Sequence, residues 1–179
     1  MKTILVIAAF LPALVGSSLA GAADLKVGDL APTFCADASD GTTVCLKDLL
    51  GKGFIVLYFY PKDDTPGCTA EACGIRDAWE DLAKLNTAVY GVSYDSVDSH
   101  KRFIDKHKLP FPLLADTDHK IAEAYGATSS LLPMAARKTF VIDKTGRIAA
   151  LIPKVTPATH AEELKKIVAG LGAANGEGK

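Results

Sequence analysis

The segment Pro61-Lys-Asp-Asp-Thr65-Pro66-Gly67-Cys68-Thr-Ala-Glu71-Ala-Cys73 concentrates the residue types that can do chemistry. Cys68 stands where a turn containing Pro and Gly gives way to a helical pattern. The first turn of a helix has unpaired N–H groups and a partial positive charge, and both favour a thiolate over a thiol. The thiolate is the attacking form of cysteine. Thr65, three residues earlier, brings a hydroxyl able to donate to that sulfur or to an oxygen bound beside it. Pro61 and Pro66 stiffen the turn and carry no N–H that would have to be satisfied. Cys73 adds a second thiol. The intervals, C-x9-C for Cys35 and Cys45 and C-x4-C for Cys68 and Cys73, with no His close in sequence to any Cys, do not match a zinc site. Nor do they supply the C-x-x-C of a dithiol oxidoreductase.

A reactive sulfur on a turn needs a rigid frame. Phe54 to Tyr60 is a continuous apolar run rich in β-branched and aromatic residues. It reads as a strand buried on both faces of a parallel sheet, ended by Pro61. Ile75, Trp79, Leu82 and Leu85 predict a helix from Cys68 to Leu85, with Trp79 in the core. Strands follow at Ala88 to Ser93 and Phe111 to Ala115, with a helix between them from Ser96 to Leu109, stopped by Pro110. Lys120 to Tyr125 is a short helix closed by Gly126. Thr139–Asp143 and Arg147–Ile152 flank the turn Lys144-Thr-Gly146, and His160 to Leu171 is the last helix. Upstream, Phe34–Asp37 and Thr42–Leu46 form a hairpin around Ser39-Asp40-Gly41, with Gly in the left-handed position. This order predicts an α/β, thioredoxin-like fold: a central mixed sheet flanked by helices, with an N-terminal β-hairpin.

Composition limits the alternatives. The chain has 179 residues, 49% hydrophobic, with 20 basic and 21 acidic side chains and a formal net charge of −1. Near-neutral charge argues against a nucleic-acid binder, and the apolar content against a disordered acidic chain. Met1-Lys2 precedes an uncharged stretch to Ala23, apolar from Ile4 to Val15. Small residues at Ser18-Leu19-Ala20 and Ala20-Gly21-Ala22 suit cleavage, so residues 1–23 read as a secretory signal peptide. The apolar run is short for an uncleaved membrane anchor, the competing reading. One domain is expected over residues 24–170, with a Gly/Ala-rich flexible tail at 171–179. A secreted or periplasmic setting follows, one where disulfides persist and no stable membrane association remains.

Pro61-x-x-x-Thr65-x-x-Cys68 resembles the active-site signature of the peroxiredoxins. The longer stretch from Tyr58 to Cys73 is similar to their bacterioferritin-comigratory, or Q-type, subfamily. Ala31-Pro32-x-Phe34, Leu114-Ala-Asp116, Tyr125-Gly126 and Arg137-Lys-Thr-Phe-Val-Ile-Asp143 extend the resemblance over most of residues 25–170. Thr128 to Ala136 is its least familiar part. The resemblance implies a thioredoxin-dependent, atypical 2-Cys thiol peroxidase. Cys68 would be the peroxidatic cysteine, Thr65 its hydroxyl partner, Pro61 the shield of the pocket and Arg137 the guanidinium on thiolate and peroxide. Cys73 would be the resolving cysteine, closing a Cys68–Cys73 disulfide. The implied partners are a hydroperoxide and a thioredoxin-like dithiol; no metal or other cofactor is implied. A monomer is the expected state, with a dimer as the alternative.

Geometry adds two expectations. On a regular helix, residues five apart have Cα atoms about 8.6 Å apart, beyond the ~7 Å limit for a disulfide. Joining Cys68 to Cys73 therefore requires the helix start to unwind. In the hairpin, residues 35 and 45 fall opposite each other, within disulfide range, so a structural Cys35–Cys45 bridge is expected. Glu71 could steady the active-site network, Arg76 reads as a solvated helix charge, and Tyr60 closes the strand beside the loop as a candidate pocket residue. His100, His107, His119 and His160 read as surface helix residues without the arrangement of a triad base. Lys101, Arg102, Lys106 and Lys108 read as a solvated basic face. Two other functions compete on this fold: a redox-responsive holdase or binding module, and a thiol–disulfide oxidoreductase. Peroxide consumption by wild type against Cys68→Ser tests the first, and insulin reduction the second.

Overall fold

A computed structural model describes residues 24–174. The stretch read as a signal peptide, residues 1–23, and the last part of the tail, residues 175–179, lie outside the described residues. The chain runs β1 (Cys35–Ala38), β2 (Thr43–Cys45), α1 (Leu46–Leu49), β3 (Phe54–Phe59), α2 (Pro66–Asp77), α3 (Trp79–Lys84) and β4 (Thr87–Ser93). It continues through α4 (Val97–His107), β5 (Leu113–Ala115), α5 (Lys120–Ala124), β6 (Lys138–Ile142), β7 (Ile148–Ile152) and α6 (His160–Ala174). The strands form one sheet in the order β2-β1-β5-β4-β3-β6-β7.

The apolar run around residue 57 becomes β3, and every residue in it is buried. It has a parallel neighbour, β4, on one side and an antiparallel one, β6, on the other. The sheet is thus mixed, as the order of elements predicts, although a run apolar on both faces suggests parallel pairing alone. What that run records is coverage of both faces. Phe54, Val56, Tyr58 and Tyr60 face the core beneath α2, α3, α4 and α6. Ile55, Leu57 and Phe59 face the core beneath α1 and α5. Period-two alternation sends neighbours to opposite faces, and here both are apolar.

The hairpin turns as expected: Gly41 has φ +86°, and Cys35 pairs with Cys45. Those two residues are joined by a disulfide, with Cα atoms 4.0 Å apart. The expected helix from Cys68 to Leu85 differs. It begins at Pro66, with Thr65 as N-cap, and breaks at Ala78 (φ −93°, ψ 2°) into α2 and α3. Ile75 and Leu82, seven residues apart, keep the same face across that single non-helical residue, so periodicity alone does not register it. α6 extends to Ala174, past Leu171.

The surface reading of the histidines fails for two of the four. His100 and His160 are fully buried. His100 Nδ1 lies 2.9 Å from Asp63 Oδ2, and its Nε2 lies 3.2 Å from the Leu114 carbonyl oxygen. A tertiary partner at each ring nitrogen makes burial affordable, and neither partner is close in sequence. His119 is half-buried and stacks on Tyr94, with ring centroids 3.8 Å apart. Lys101, Arg102, Lys106 and Lys108 are exposed, as a solvated face should be.

Candidate active site

β3 delivers the chain to the site, and α2 receives it. Pro66 occupies the first turn of α2, where its missing N–H costs nothing. Cys68 follows within that turn, so its side chain sits at the positive end of the helix. The residue is almost wholly buried, at 1% exposure.

Arg137 comes from 69 residues away. It immediately precedes β6, and the β3–β6 register pairs Phe59 with Lys138, which sets Arg137 alongside Tyr60 at the end of the sheet where the loop begins. The preceding stretch, Thr128 to Ala136, is a closed excursion: Thr128 bridges Ala135, and the Ala136 N–H donates to the Ala127 carbonyl. That closure returns the chain to the sheet in register. Arg137 Nη2 then donates to Cys68 Sγ at 3.1 Å. Gly67 makes room for it, because a Cβ there would stand 2.9 Å from Nη2.

The other arm of the guanidinium, Nη1, donates to Glu71 Oε2. Glu71 lies one turn along α2 and is fully buried. A buried carboxylate needs a compensating charge, and Arg137 supplies it. Glu71 in turn fixes the guanidinium plane, so Nη2 can address the sulfur. His160, at the start of α6, stands behind: its Nδ1 is 3.0 Å from Glu71 Oε1, though not aligned for a hydrogen bond. Its Nε2 is 3.0 Å from the Thr139 hydroxyl. Burial pushes the Tyr58 phenol well up, with Glu71, Asp63 and the Cys68 sulfur adding, so that hydroxyl stays protonated.

A second buried network holds the loop. Asp63 accepts from the Tyr60 hydroxyl at 2.7 Å and from the Ser99 hydroxyl at 2.7 Å, and it faces His100. Burial raises the Asp63 carboxyl, but His100, Tyr60 and Ser99 outweigh it and hold the group below the ordinary carboxylate range. The Asp63 N–H donates to Asp95 at 2.9 Å. Tyr60 is accordingly a buried anchor of the loop.

The structure brings Cys68, Glu71 and Arg137 together. Pro61, half-buried, opens the loop. The Thr65 hydroxyl donates to the Lys62 carbonyl at 3.1 Å, so its hydrogen goes to the loop backbone rather than to the sulfur. Cys73 is a free, half-buried thiol farther along α2. Arg76 is less solvated than its sequence context suggests: Nε donates to Asp77, and Nη1 donates to the His107 carbonyl at 2.8 Å. Sequence reasoning missed the placement of His160, His107 and the Asp63–His100 pair. One signal was present for α4: His100, Phe103 and His107 recur at spacings of three and four, on the face that meets the core.

A family model described as the AhpC/TSA family matches residues 27–151. A Coxiella burnetii protein named putative peroxiredoxin bcp is 44% identical over 146 residues, covering 78% of this chain and 96% of its own length. Peroxiredoxin Bcp of Bacillus subtilis is 44% identical over 145 residues, covering 78% and 92%. Among solved structures, peroxidoxin BcpB of Mycobacterium tuberculosis superimposes with a TM-score of 0.76 at 32% identity, covering 82% of this chain and 98% of that one. A cysteine mutant of Xylella fastidiosa PrxQ gives 0.77 at 31%, covering 86% and 99%. With the fold, the buried cysteine at a helix start and its arginine in place, the chain belongs to the AhpC/TSA family, among its Bcp/Q-type peroxiredoxins.

Proposed function

We propose that the protein is a thiol peroxidase in which Cys68 attacks hydroperoxides. The observation that carries this reading is Arg137 Nη2 on Cys68 Sγ at 3.1 Å, in the first turn of α2. The guanidinium and the helix end together favour the sulfur anion. The thiolate attacks the outer peroxide oxygen, the O–O bond breaks, and the alkoxide or hydroxide leaves and takes a proton. Cys68 becomes a sulfenic acid, and the peroxide is reduced to alcohol or water. Positive charge at the sulfur also stabilises the charge that develops on the departing oxygen.

Cys73 resolves the sulfenic acid. Its thiol displaces water from Cys68 and closes an intramolecular disulfide, which a thioredoxin-like dithiol reopens by exchange. The Cys35–Cys45 bridge and the apolar leader pattern favour an exported protein working in an oxidising compartment. Fractionation of an expressing bacterium tests that placement, and N-terminal sequencing tests the cleavage: recovery from the cytoplasm alone would defeat export, and an intact Met1 would defeat cleavage.

The enzymatic test is peroxide consumption driven by dithiothreitol and by a thioredoxin system. Wild type turns over, Cys68→Ser does not, and Cys73→Ser loses thioredoxin-driven turnover. Activity retained by Cys68→Ser would overturn the assignment. Oxidation should also loosen amide exchange at residues 67–75, since the pair cannot close across an intact helix.

A further inference from the structure

Cys73 is not an isolated thiol. Its Sγ lies 4.0 Å from Nδ1 of His107, the last residue of α4. The other ring nitrogen, Nε2, lies 3.3 Å from Oδ1 of Asp64, on the loop ahead of α2. Asp64 also accepts from Lys106 Nζ at 2.8 Å. Lys106 chiefly, with His107, holds the Asp64 carboxyl below the ordinary carboxylate range despite an opposing desolvation, so it is an anion at neutral pH. An anionic carboxylate accepts from Nε2–H, and that tautomer leaves the Nδ1 lone pair turned toward the thiol. The imidazole is held in place: its side chain is 18% exposed, the Phe103 ring packs edge-on at 5.0 Å, and Arg76 grips the His107 carbonyl. The charged groups around it are Asp64 on the loop, Lys106 on α4, and Arg76 with Asp77 on α2.

Thiol, imidazole and carboxylate in this sequence are the parts of a base-activated nucleophile. We infer that His107, oriented by Asp64, is the general base that deprotonates Cys73 for its attack on oxidised Cys68. The inference rests on the roles given to Cys68 and Cys73 above. His107 Nδ1 takes the Cys73 proton. The Cys73 thiolate attacks the sulfenic sulfur of Cys68, the S–S bond forms, and the S–O bond breaks. The departing hydroxide takes a proton and leaves as water, and no outside oxidant or reductant enters. Because Arg76 ties its half of α2 to α4, Cys73 stays at its base, and the sulfur that travels is Cys68, on the first turn of the helix.

The test follows the two chemical steps separately. Reduced full-length protein is mixed with one equivalent of hydrogen peroxide and quenched at intervals with a thiol-alkylating reagent. Intact mass then counts thiol, sulfenic acid and disulfide. An unassisted thiol of ordinary pKa is about 3% ionised at pH 7, so activation is worth at most about 30-fold. For His107→Gln, sulfenic acid should form at wild-type speed, while disulfide closure slows about 10- to 30-fold at pH 7. The deficit should shrink toward nothing by pH ~9.5, because base assistance matters less as the solution itself becomes basic enough to ionise an ordinary thiol. Asp64→Asn should give the same pattern at smaller size. Closure at the wild-type rate, or a deficit equal at both pH values, overturns the role of His107. A Cys73→Ser protein that still closes a disulfide at Cys68 overturns the resolving role and the base with it. Sulfenic acid accumulating in Cys73→Ser supports the resolving role, and the pH-dependent deficit of His107→Gln supports the base.

Discussion

Replacing Arg137 by Met separates what its guanidinium does for chemistry from what it does for the fold. Nη2 donates to Cys68 at 3.1 Å, and Nη1 donates to Glu71. A hydrogen bond to a charged group is worth about 1.5–3 kcal/mol. At 1.36 kcal/mol per decade, its loss slows the reaction with peroxide by about 10- to 150-fold. The other arm bears on stability. Glu71 is fully buried, and removing the partner of a buried charge costs about 3–5 kcal/mol. Arg137 is itself 22% exposed and His160 stands at the other carboxylate oxygen, so a smaller loss of about 2–3 kcal/mol is expected here. Adding Glu71→Gln removes the stranded charge, so the double variant should recover most of the stability and none of the rate. Stopped-flow reaction of the reduced proteins with hydrogen peroxide gives the rate constants, and urea unfolding gives the stabilities. If the double variant reacted at the wild-type rate, the guanidinium would act only through the fold, and the direct contact with sulfur would have no catalytic meaning.

Three further outcomes are expected. The Cys35–Cys45 bridge closes a loop with a sequence separation of 10; the chain-entropy relation assigns it about 2.8 kcal/mol. Replacing both cysteines with Ala should therefore lower Tm by about 6–11 °C while leaving peroxidase activity intact; loss of activity in a folded double variant would give this pair a redox role. Gly67→Ala would set a Cβ 2.9 Å from Arg137 Nη2 and push it off the sulfur, so peroxide reactivity should fall severalfold with Tm little changed; an unchanged rate would show that the guanidinium has room to yield. The Asp63 carboxyl is depressed in the folded state, so the stability it contributes is present above the ordinary value of 3.8 and is lost as pH falls through its lower folded value. Urea unfolding across pH 2–6 should show a weaker acid dependence for Asp63→Asn than for wild type, and identical curves would mean that the Asp63–His100 pair is thermodynamically silent.

Much of the fold can be read along the chain because its signals are local. The run through Tyr58 is apolar on successive residues because both faces of β3 are covered, so it marks a central strand without reference to its neighbours. Gly41 and Gly146 adopt positive φ where the turns require it, and Ser96 accepts the Ser99 N–H to cap α4. The Cys35–Cys45 bridge follows from the same local logic, since a short turn fixes the hairpin register and the register sets the two sulfurs opposite each other. Cys68 is legible because a thiol beside Pro and Gly at a helix start already carries its chemical advantage in the backbone.

The remaining features depend on contacts between residues far apart in sequence. The direction of β6 beside β3, the break at Ala78 and the burial of His160 leave no periodic trace, and the spacing that puts His100 on the inner face of α4 does not name its partner Asp63. A polar side chain is buried only where a distant partner meets it, and that partner is invisible in the flanking residues. The sequence alone determined which sulfur is placed to react, because a helix end acts on the residue that occupies it. Tertiary structure decided what stands around the two free thiols: Arg137 and Glu71 at Cys68, and His107 with Asp64 at Cys73. Those contacts act over a few ångströms in space and join segments that only the sheet and its packed helices bring together.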